Sequence, residues 1–380
     1  MTDQTRYAAC RVVALASLAL AACAGGGGAE LDTDTVSTQP SSTGPDTHET
    51  SGTEGIETTS ESGDGADVIP CAPELRLYKD RFCQVLADGV MPFTPQFALW
   101  SDAIAKERYV YIPPGETIDV RNPDAWVFPV GTRFWKHFRT EGGLRLETRV
   151  LEKTADSKGE PGWTFETYAW NEAGDDVTRV TEGQRNVLGT EHDIPEESDC
   201  SECHSGGDND WDSSLGEHEL LDLALGFGAI QLNHEDSETT LESLLADGWL
   251  DGSLSVAEAV IPGDAAARAA LGYLHANCGS CHGGAKPAKR LTMFVPVGTT
   301  RVEDTPTYQG NVNVPTDPNQ QATGVEEMPT TRIVPGDPEH SALVWRMMQR
   351  GEHDAPMPPL ATDVVDDEGV EAVSEWIRGL

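Results

Sequence analysis

Basic side chains are scarce in this chain: 26 Lys and Arg stand against 64 Asp and Glu in 380 residues, leaving a formal charge of −38. A field of that sign repels nucleic acid and anionic lipid headgroups, so both drop out as partners, while a basic protein surface would be steered toward it. The same excess also serves plain solubility, and net charge governs encounter rather than fold. The apolar stretch over residues 12–22 is too short to span a bilayer. Between residues 24 and 70 there is no Lys, no Arg and no aromatic residue, and Gly, Ser, Thr, Asp and Glu dominate. Such a segment cannot bury enough apolar surface to fold, and as a flexible coil it would reach about 40 Å. His48 inside it reads as a solvated bystander.

What is present begins with an export signal. Arg6 and Arg11 lead into the apolar stretch, which ends in Leu20-Ala21-Ala22-Cys23. This run of small residues before a cysteine resembles the lipobox of bacterial lipoproteins. The resemblance implies that Cys23 is acylated and becomes the first residue of the mature chain, placing the protein in the cell envelope, on the periplasmic or outer-membrane side. The other reading is an ordinary secretory signal that contains a cysteine.

The pentapeptide Cys-x-x-Cys-His occurs twice, as Cys200-Ser201-Glu202-Cys203-His204 and Cys278-Gly279-Ser280-Cys281-His282. Two cysteines three apart can take thioether bonds from the two vinyl groups of one haem, and the adjacent histidine then ligates the iron. Random placement of 8 Cys and 10 His would give roughly 0.004 such motifs per chain, so composition does not explain two. Zinc is the chemical rival, but zinc cysteine pairs need no histidine directly after the second cysteine in both copies. A thioredoxin-like pair fits less well, since neither motif follows a strand in a βαβ pattern. Two covalently bound haem c groups are expected, with His204 and His282 as proximal iron ligands.

All eight cysteines then have a use. Cys10 leaves with the signal, Cys23 takes lipid, four take haem, and Cys71 and Cys83 remain. In an oxidising compartment these two can pair as a disulfide, constraining the unfolded chain by about 3 kcal/mol; two thiols are the alternative.

Patterning predicts an α+β multidomain chain. Residues 1–23 are signal and lipobox, 24–70 an acidic linker, 71–195 an antiparallel β-rich domain, 196–261 the first haem-binding segment, and 262–380 a mainly helical domain with the second haem. Alternation in Leu144, Leu146, Thr148, Val150 and in Trp163, Phe165, Thr167, Ala169 predicts strands with one buried face. Residues 168–178 read as a hairpin turned by Gly174 and Asp175. The repeated short strands point to an antiparallel sheet or sandwich, with aromatic residues in its core. Asp264 caps an alanine-rich helix over 265–277, with Leu271 and Leu274 on one face. Asp337-Pro338 reads as a second helix start, for a helix carrying Leu343, Val344, Met347 and Met348. A last helix over 366–378 presents Val370, Val373, Trp376 and Ile377.

The order helix, CxxCH, long middle segment, methionine loop, terminal helix resembles a class I cytochrome c domain over residues 262–380. The resemblance implies that the first and last helices cross beside the haem, with Gly272 allowing close approach and Trp376 filling the contact. Met357, held between prolines in Pro356-Met357-Pro358, is the expected sixth ligand, since prolines hold the segment extended and soft sulfur suits reduced iron. Met328 before Pro329 is the runner-up, Met347 and Met348 read as helix core, and His275 as facing solvent or a propionate. His340 and His353 read as surface residues, with His353 a minor rival to Met357. For the first haem the distal partner is open among His218, His234, His192 and Met293. His218 ranks first because it sits in a plausible helix, and an open sixth position stays possible.

The strings Ala98-Leu99-Trp100-Ser101-Asp102, Phe128-Pro129-Val130-Gly131-Thr132, Leu146-Glu147-Thr148-Arg149, Tyr168-Ala169-Trp170-Asn171-Glu172 and Val334-Pro335-Gly336-Asp337-Pro338, with both CxxCH motifs and Met357-Pro358, resemble a set of bacterial dihaem c-type cytochromes. Many of these are lipoproteins with a β-rich segment before the first haem. The likeness runs from about Pro95 to the C-terminus. It implies a membrane-tethered electron carrier working between redox proteins. The rival from another class is a haem enzyme, peroxidase-like or an oxidase subunit, using an open first haem; no acid, base or substrate-binding constellation is evident around His204. A sugar- or polymer-binding β-domain with accessory haems is the third reading.

Overall fold

The computed structural model describes residues 69–204, 221–222, 224–283, 291–317, 328–350, 356–359 and 362–380. The signal, Cys23, most of the linker, His218 and His353 lie outside them. Gly63–Leu380 forms one compact unit. No helix among the described residues is long and apolar enough to cross a membrane.

Six strands make one antiparallel sheet: β1 (Val90–Phe93), β2 (Ala105–Tyr111), β4 (Arg133–Arg139), β5 (Arg145–Lys153), β6 (Trp163–Trp170) and β7 (Val177–Arg179), hydrogen-bonded in the order β1-β2-β4-β5-β6-β7. Between β2 and β4 lies β3 (Ile118–Asp119), which pairs in parallel with β8 (Leu250–Asp251) far along the chain. The hairpin joining β6 and β7 turns where expected, with Trp170 opposite Val177 and Gly174 at φ +67°. Among the described residues there is no second large sheet, so the sandwich alternative is corrected to a single sheet covered on both faces.

That covering explains why β5 is not half-buried. Leu146, Glu147, Thr148, Val150, Leu151 and Lys153 are all buried, because helical and loop segments pack on each side of this central strand. One face carries Trp135, Val150, Tyr168 and Trp170 under Leu75, Leu77 and the Cys71–Cys83 disulfide. The other carries Phe134, Leu151 and Trp163 under Phe227, Leu232, Leu241 and Leu244, the last two from α2 (Leu241–Ala246). Residues 227–259 therefore complete the core of the sheet rather than standing apart from it.

The second core is helical. In α3 (Ala265–Asn277) the Asp264 carboxylate accepts from Ala267 N at 2.9 Å, the expected cap. It packs against α6 (Asp367–Arg378), burying Leu271, Leu274, Val373, Trp376 and Ile377, with α4 (Pro306–Asn311) and α5 (Ala342–Met347) alongside. Gly272 does not face α6; a Cβ there would stand 2.0 Å from Phe97 Cε1. The glycine that admits the crossing is Gly369 of α6, where a Cβ would meet the Tyr273 ring at 2.3 Å. Helix α5 begins at Ala342, later than Asp337-Pro338 suggests. Asp337 instead accepts from His340 N at 3.2 Å and pairs with His340 Nδ1 at 2.8 Å, so its carboxylate is spent on a local turn. As a result Met347 is buried while Met348 is 55% exposed, which corrects its assignment to helix core.

Candidate functional site

The first motif coincides with a single helical turn, α1 (Cys200–His204). The chain enters it through Glu197–Asp199, where Glu196 and Asp199 cap one another's backbone, and Arg179 of β7 ties Glu197 and Glu166 at 3.0 Å each. The turn is thereby held against the sheet, and the His204 ring lies 5.8 Å from the ring of Phe165 on β6. A cleft of about 780 Å³ runs beside it, lined by Trp163, Phe165, Glu166, Arg179, Glu197 and Ser201.

The second motif follows directly from the C-terminal end of α3. Cys278 N donates to Leu274 O at 2.9 Å, His282 N to Cys278 O at 2.7 Å, and Met293 N to His282 O at 2.7 Å. Cys278 is buried among Leu271, Leu274, Met293 and Met347, and burial pushes its thiol up to about 12. Asn277, one residue earlier, clamps the sheet-side segment: its amide donates to Ala98 O at 2.9 Å and accepts from Trp100 N at 2.7 Å. Asp102 accepts from Val364 N at 2.8 Å, and the Trp100 indole donates to Val364 O at 3.1 Å. The Trp-Ser-Asp string is thus a strap between the sheet and the second motif.

The two motifs meet. The Cys203 thiol is hydrogen-bonded to that of Cys281, and this contact, with burial second, raises its pKa far above the ordinary thiol value; Lys136 and Arg149 pull the other way. Burial likewise raises Cys200, against the pull of Arg149. Among the described residues none of the four motif cysteines is in a disulfide. Nothing local in either pentapeptide announces this encounter.

Beneath it lies a group of cations that sequence reading passed over. Cross-strand register sets Arg108 of β2 opposite Lys136 of β4, Lys136 opposite Arg149 of β5, and Arg149 opposite Thr167 of β6. Opposed residues share a face, so these four form one row, with Lys106 two residues along β2 on the same side. Glu147, opposite Phe138 in the next row, pairs with Arg149 and with His192 Nε2 at 2.7 Å, holding Arg149 charged despite its burial. Lys106 donates to Leu99 O at 3.0 Å and Ser101 Oγ at 2.9 Å; burial, reinforced by Arg108, drops it to about 8. Burial lowers Arg108 to about 10, and burial with the neighbouring Arg108, Arg149 and Lys106 holds Lys136 well below the usual lysine value. The available signal was Lys106-Glu107-Arg108, two cations at strand spacing in a strongly acidic chain.

The distal-ligand candidates separate by their present engagements. His192 is buried on Glu147 with its ring 5.1 Å from Phe138, which fixes it as a structural histidine of the sheet. His234 uses both ring nitrogens, Nε2 meeting Thr94 O just after β1 at 2.8 Å and Nδ1 accepting from Asp236 N in its own loop at 3.2 Å. Met293 belongs to the core around Cys278, not to the first motif. His275 is half-buried rather than solvent-facing: Nδ1 accepts from Val295 N at 3.2 Å, and burial drops it to about 4. Met357 and Met328 both meet Arg346 of α5, Met357 N donating to its carbonyl at 3.2 Å and Met328 Sδ accepting from Nη2 at 3.8 Å. His340 is exposed, as expected.

Comparison with family models, curated proteins and solved structures finds no match to this chain.

Proposed function

We propose that this chain is a dihaem c-type cytochrome, tethered to the cell envelope through Cys23, that carries electrons between redox proteins. The observation that carries the reading is the contact between Cys203 and Cys281: two motifs far apart in sequence, each with two thiols and one imidazole, are brought to one place. Electron transfer between two attached groups needs such proximity. Zinc fits less well, because among the described residues no three His, Cys, Asp or Glu side chains converge as a metal cage. The orphaned Arg108 Nη2 and Thr167 Oγ1 beside the motifs are polar atoms of the kind an anionic cofactor satisfies.

In this reading Cys200 and Cys203 with His204 hold one haem, and Cys278 and Cys281 with His282 hold the other, the iron supplying one-electron redox chemistry when bound. The chain's own part is to fix the pair on rigid elements, α1 strapped to β6 and β7 and α3 packed on α6. Helix α3 leading into CxxCH and packing on α6 supports the class I cytochrome c likeness of residues 262–380, with Met357 as sixth ligand and Met328 as second choice. The acidic surface suits partners with basic faces.

Mass analysis of protein matured in a host competent for cytochrome c assembly should show two added tetrapyrroles. Unmodified thiols or bound zinc would overturn the reading. The cleft beside α1, lined by Ser201 and Phe165, favours a second one, a haem enzyme with an open first site. Carbon monoxide binding to the reduced, untreated protein would support that alternative, and a spectrum unmoved by carbon monoxide at both haems supports the carrier.

A further inference from the structure

Arg108 is 8% exposed, its Nη2 is buried without a hydrogen-bond partner, and among the described residues it forms no ion pair. Lys136 beside it also forms no ion pair among the described residues; its ammonium lies 4.8 Å from the centre of the Phe138 ring, with Arg149 4.7 Å from the same ring. At the far end of the row Thr167, 1% exposed, leaves its hydroxyl unsatisfied. Four cations, Lys106, Arg108, Lys136 and Arg149, gather on this face in a chain of net charge −38; Glu147 pairs with Arg149, and Asp102 and Asp366 lie within electrostatic reach of Lys106. Collecting uncompensated positive charge in a buried site is strongly unfavourable unless a counter-charge arrives. Among the described residues none of these carboxylates pairs with Arg108 or Lys136.

Arg149 acts on Cys200 and Cys203, and Lys136 on Cys203, so the row lies within electrostatic range of the first motif. A ligand bonded to those cysteines would lie over this face of the sheet. The ligand suited to the row is flat and apolar in its body, to lie near Phe138 and Phe165, and doubly carboxylated at its edge. We infer that Arg108 and Lys136 are the seat of the haem propionates at the Cys200–Cys203 site, with Arg149 held beside them by Glu147. This rests on the dihaem reading, and it assigns a role to the β-sheet: it is the floor of the first haem site, and it fixes how readily that haem is reduced. Cations paired with propionates offset the extra electron of the reduced form, so removing one lowers the midpoint potential.

The test uses the full-length holoprotein. Mass analysis of the unsubstituted protein comes first, and absence of two tetrapyrroles there defeats the dihaem reading itself. With both haems present, Arg108→Met and Lys136→Met are compared with Arg108→Lys and Lys136→Arg by spectroelectrochemistry. The Met variants should raise the oxidised-to-reduced ratio of one haem at a fixed potential at least tenfold, 59 mV for a one-electron couple. The charge-keeping variants should stay within threefold of the parent, and the second haem should move less. Because Arg108 forms no ion pair among the described residues and its Nη2 is unsatisfied, Arg108→Met should not lower folding stability, which a structural arginine would. Potentials unchanged within threefold in Met variants that hold both haems would overturn the inference. Should the Met variants not accumulate, Lys136 acetylation by acetic anhydride decides. It should be at least tenfold slower in the parent holoprotein than in a Cys200→Ala/Cys203→Ala variant, and equal rates would overturn the inference.

Discussion

Lys153 and Asp222 form a buried ion pair, Nζ lying 2.7 Å from both carboxylate oxygens with neither side chain more than 1% exposed. Asp222 also accepts from the Trp163 indole at 2.9 Å and from Gly159 N at 3.1 Å, while Lys153 donates to Ser157 O at 2.7 Å. The pair anchors the chain following the first motif to the centre of the sheet. Removing one partner strands the other in the core. Asp222→Ala should therefore cost about 3–5 kcal/mol in urea unfolding, and Lys153→Met combined with Asp222→Leu should recover most of it. A single-variant loss below 1 kcal/mol would show that the pair is not the anchor.

Acid should weaken the sheet through His137. Its Nδ1 sits 2.6 Å from Thr148 Oγ1, which accepts from the Trp170 indole at 2.8 Å, so the ring is held neutral, and burial lowers its pKa to about 3. The unfolded chain binds this proton near pH 6.5 and the folded one does not until about pH 3, so the group's contribution is intact above 6.5 and is lost as pH falls through that window. The loss approaches about 1.4 kcal/mol per pH unit between those limits. His137→Asn keeps an acceptor toward Thr148 and removes the titration. The difference between parent and variant stability should shrink on acidification, and a difference independent of pH would refute this.

Gly272→Ala should destabilise although alanine favours helix, because its Cβ would stand 2.0 Å from the Phe97 ring. Overpacking of this kind costs about 1–3 kcal/mol. In the Phe97→Ala background the same substitution should become neutral or stabilising. Additive effects in that cycle would disprove the contact.

Met357→Ala should abolish the methionine-to-iron charge-transfer band of the oxidised holoprotein, and Met328→Ala should leave it. Since both residues rest on Arg346, each variant also reports on α5 through its circular dichroism. The reverse pattern would transfer the ligand role to Met328.

Much of the fold was readable because it is written locally. Asp264 ahead of an alanine-rich run, the Asn171 to Asp176 turn, and the spacing of Val373, Trp376 and Ile377 each act within a few residues. The start of α5 was misread because Asp337-Pro338 has the chemistry of a helix start, yet Asp337 bonds His340 and its carbonyl accepts from the Ser341 hydroxyl at 2.8 Å. The CxxCH pentapeptides were legible for the same reason as the caps. What escaped was everything made by register or by distant meeting: the Arg108, Lys136, Arg149 row exists only once three strands are aligned, and the Cys203 contact with Cys281 only once both cores are closed. Gly272 was rightly singled out as a close-approach position, but its neighbour comes from residue 97, beyond the reach of helix periodicity.

The apolar cover of the sheet, Phe227, Leu232, Leu241 and Leu244, lies downstream of the first cysteine pair in the chain. A polypeptide emerging amino end first presents positions 200 and 203 while that face is still bare. On the dihaem reading proposed above, attachment at Cys200 and Cys203 would precede this cover, and the sheet would close afterwards around the attached group.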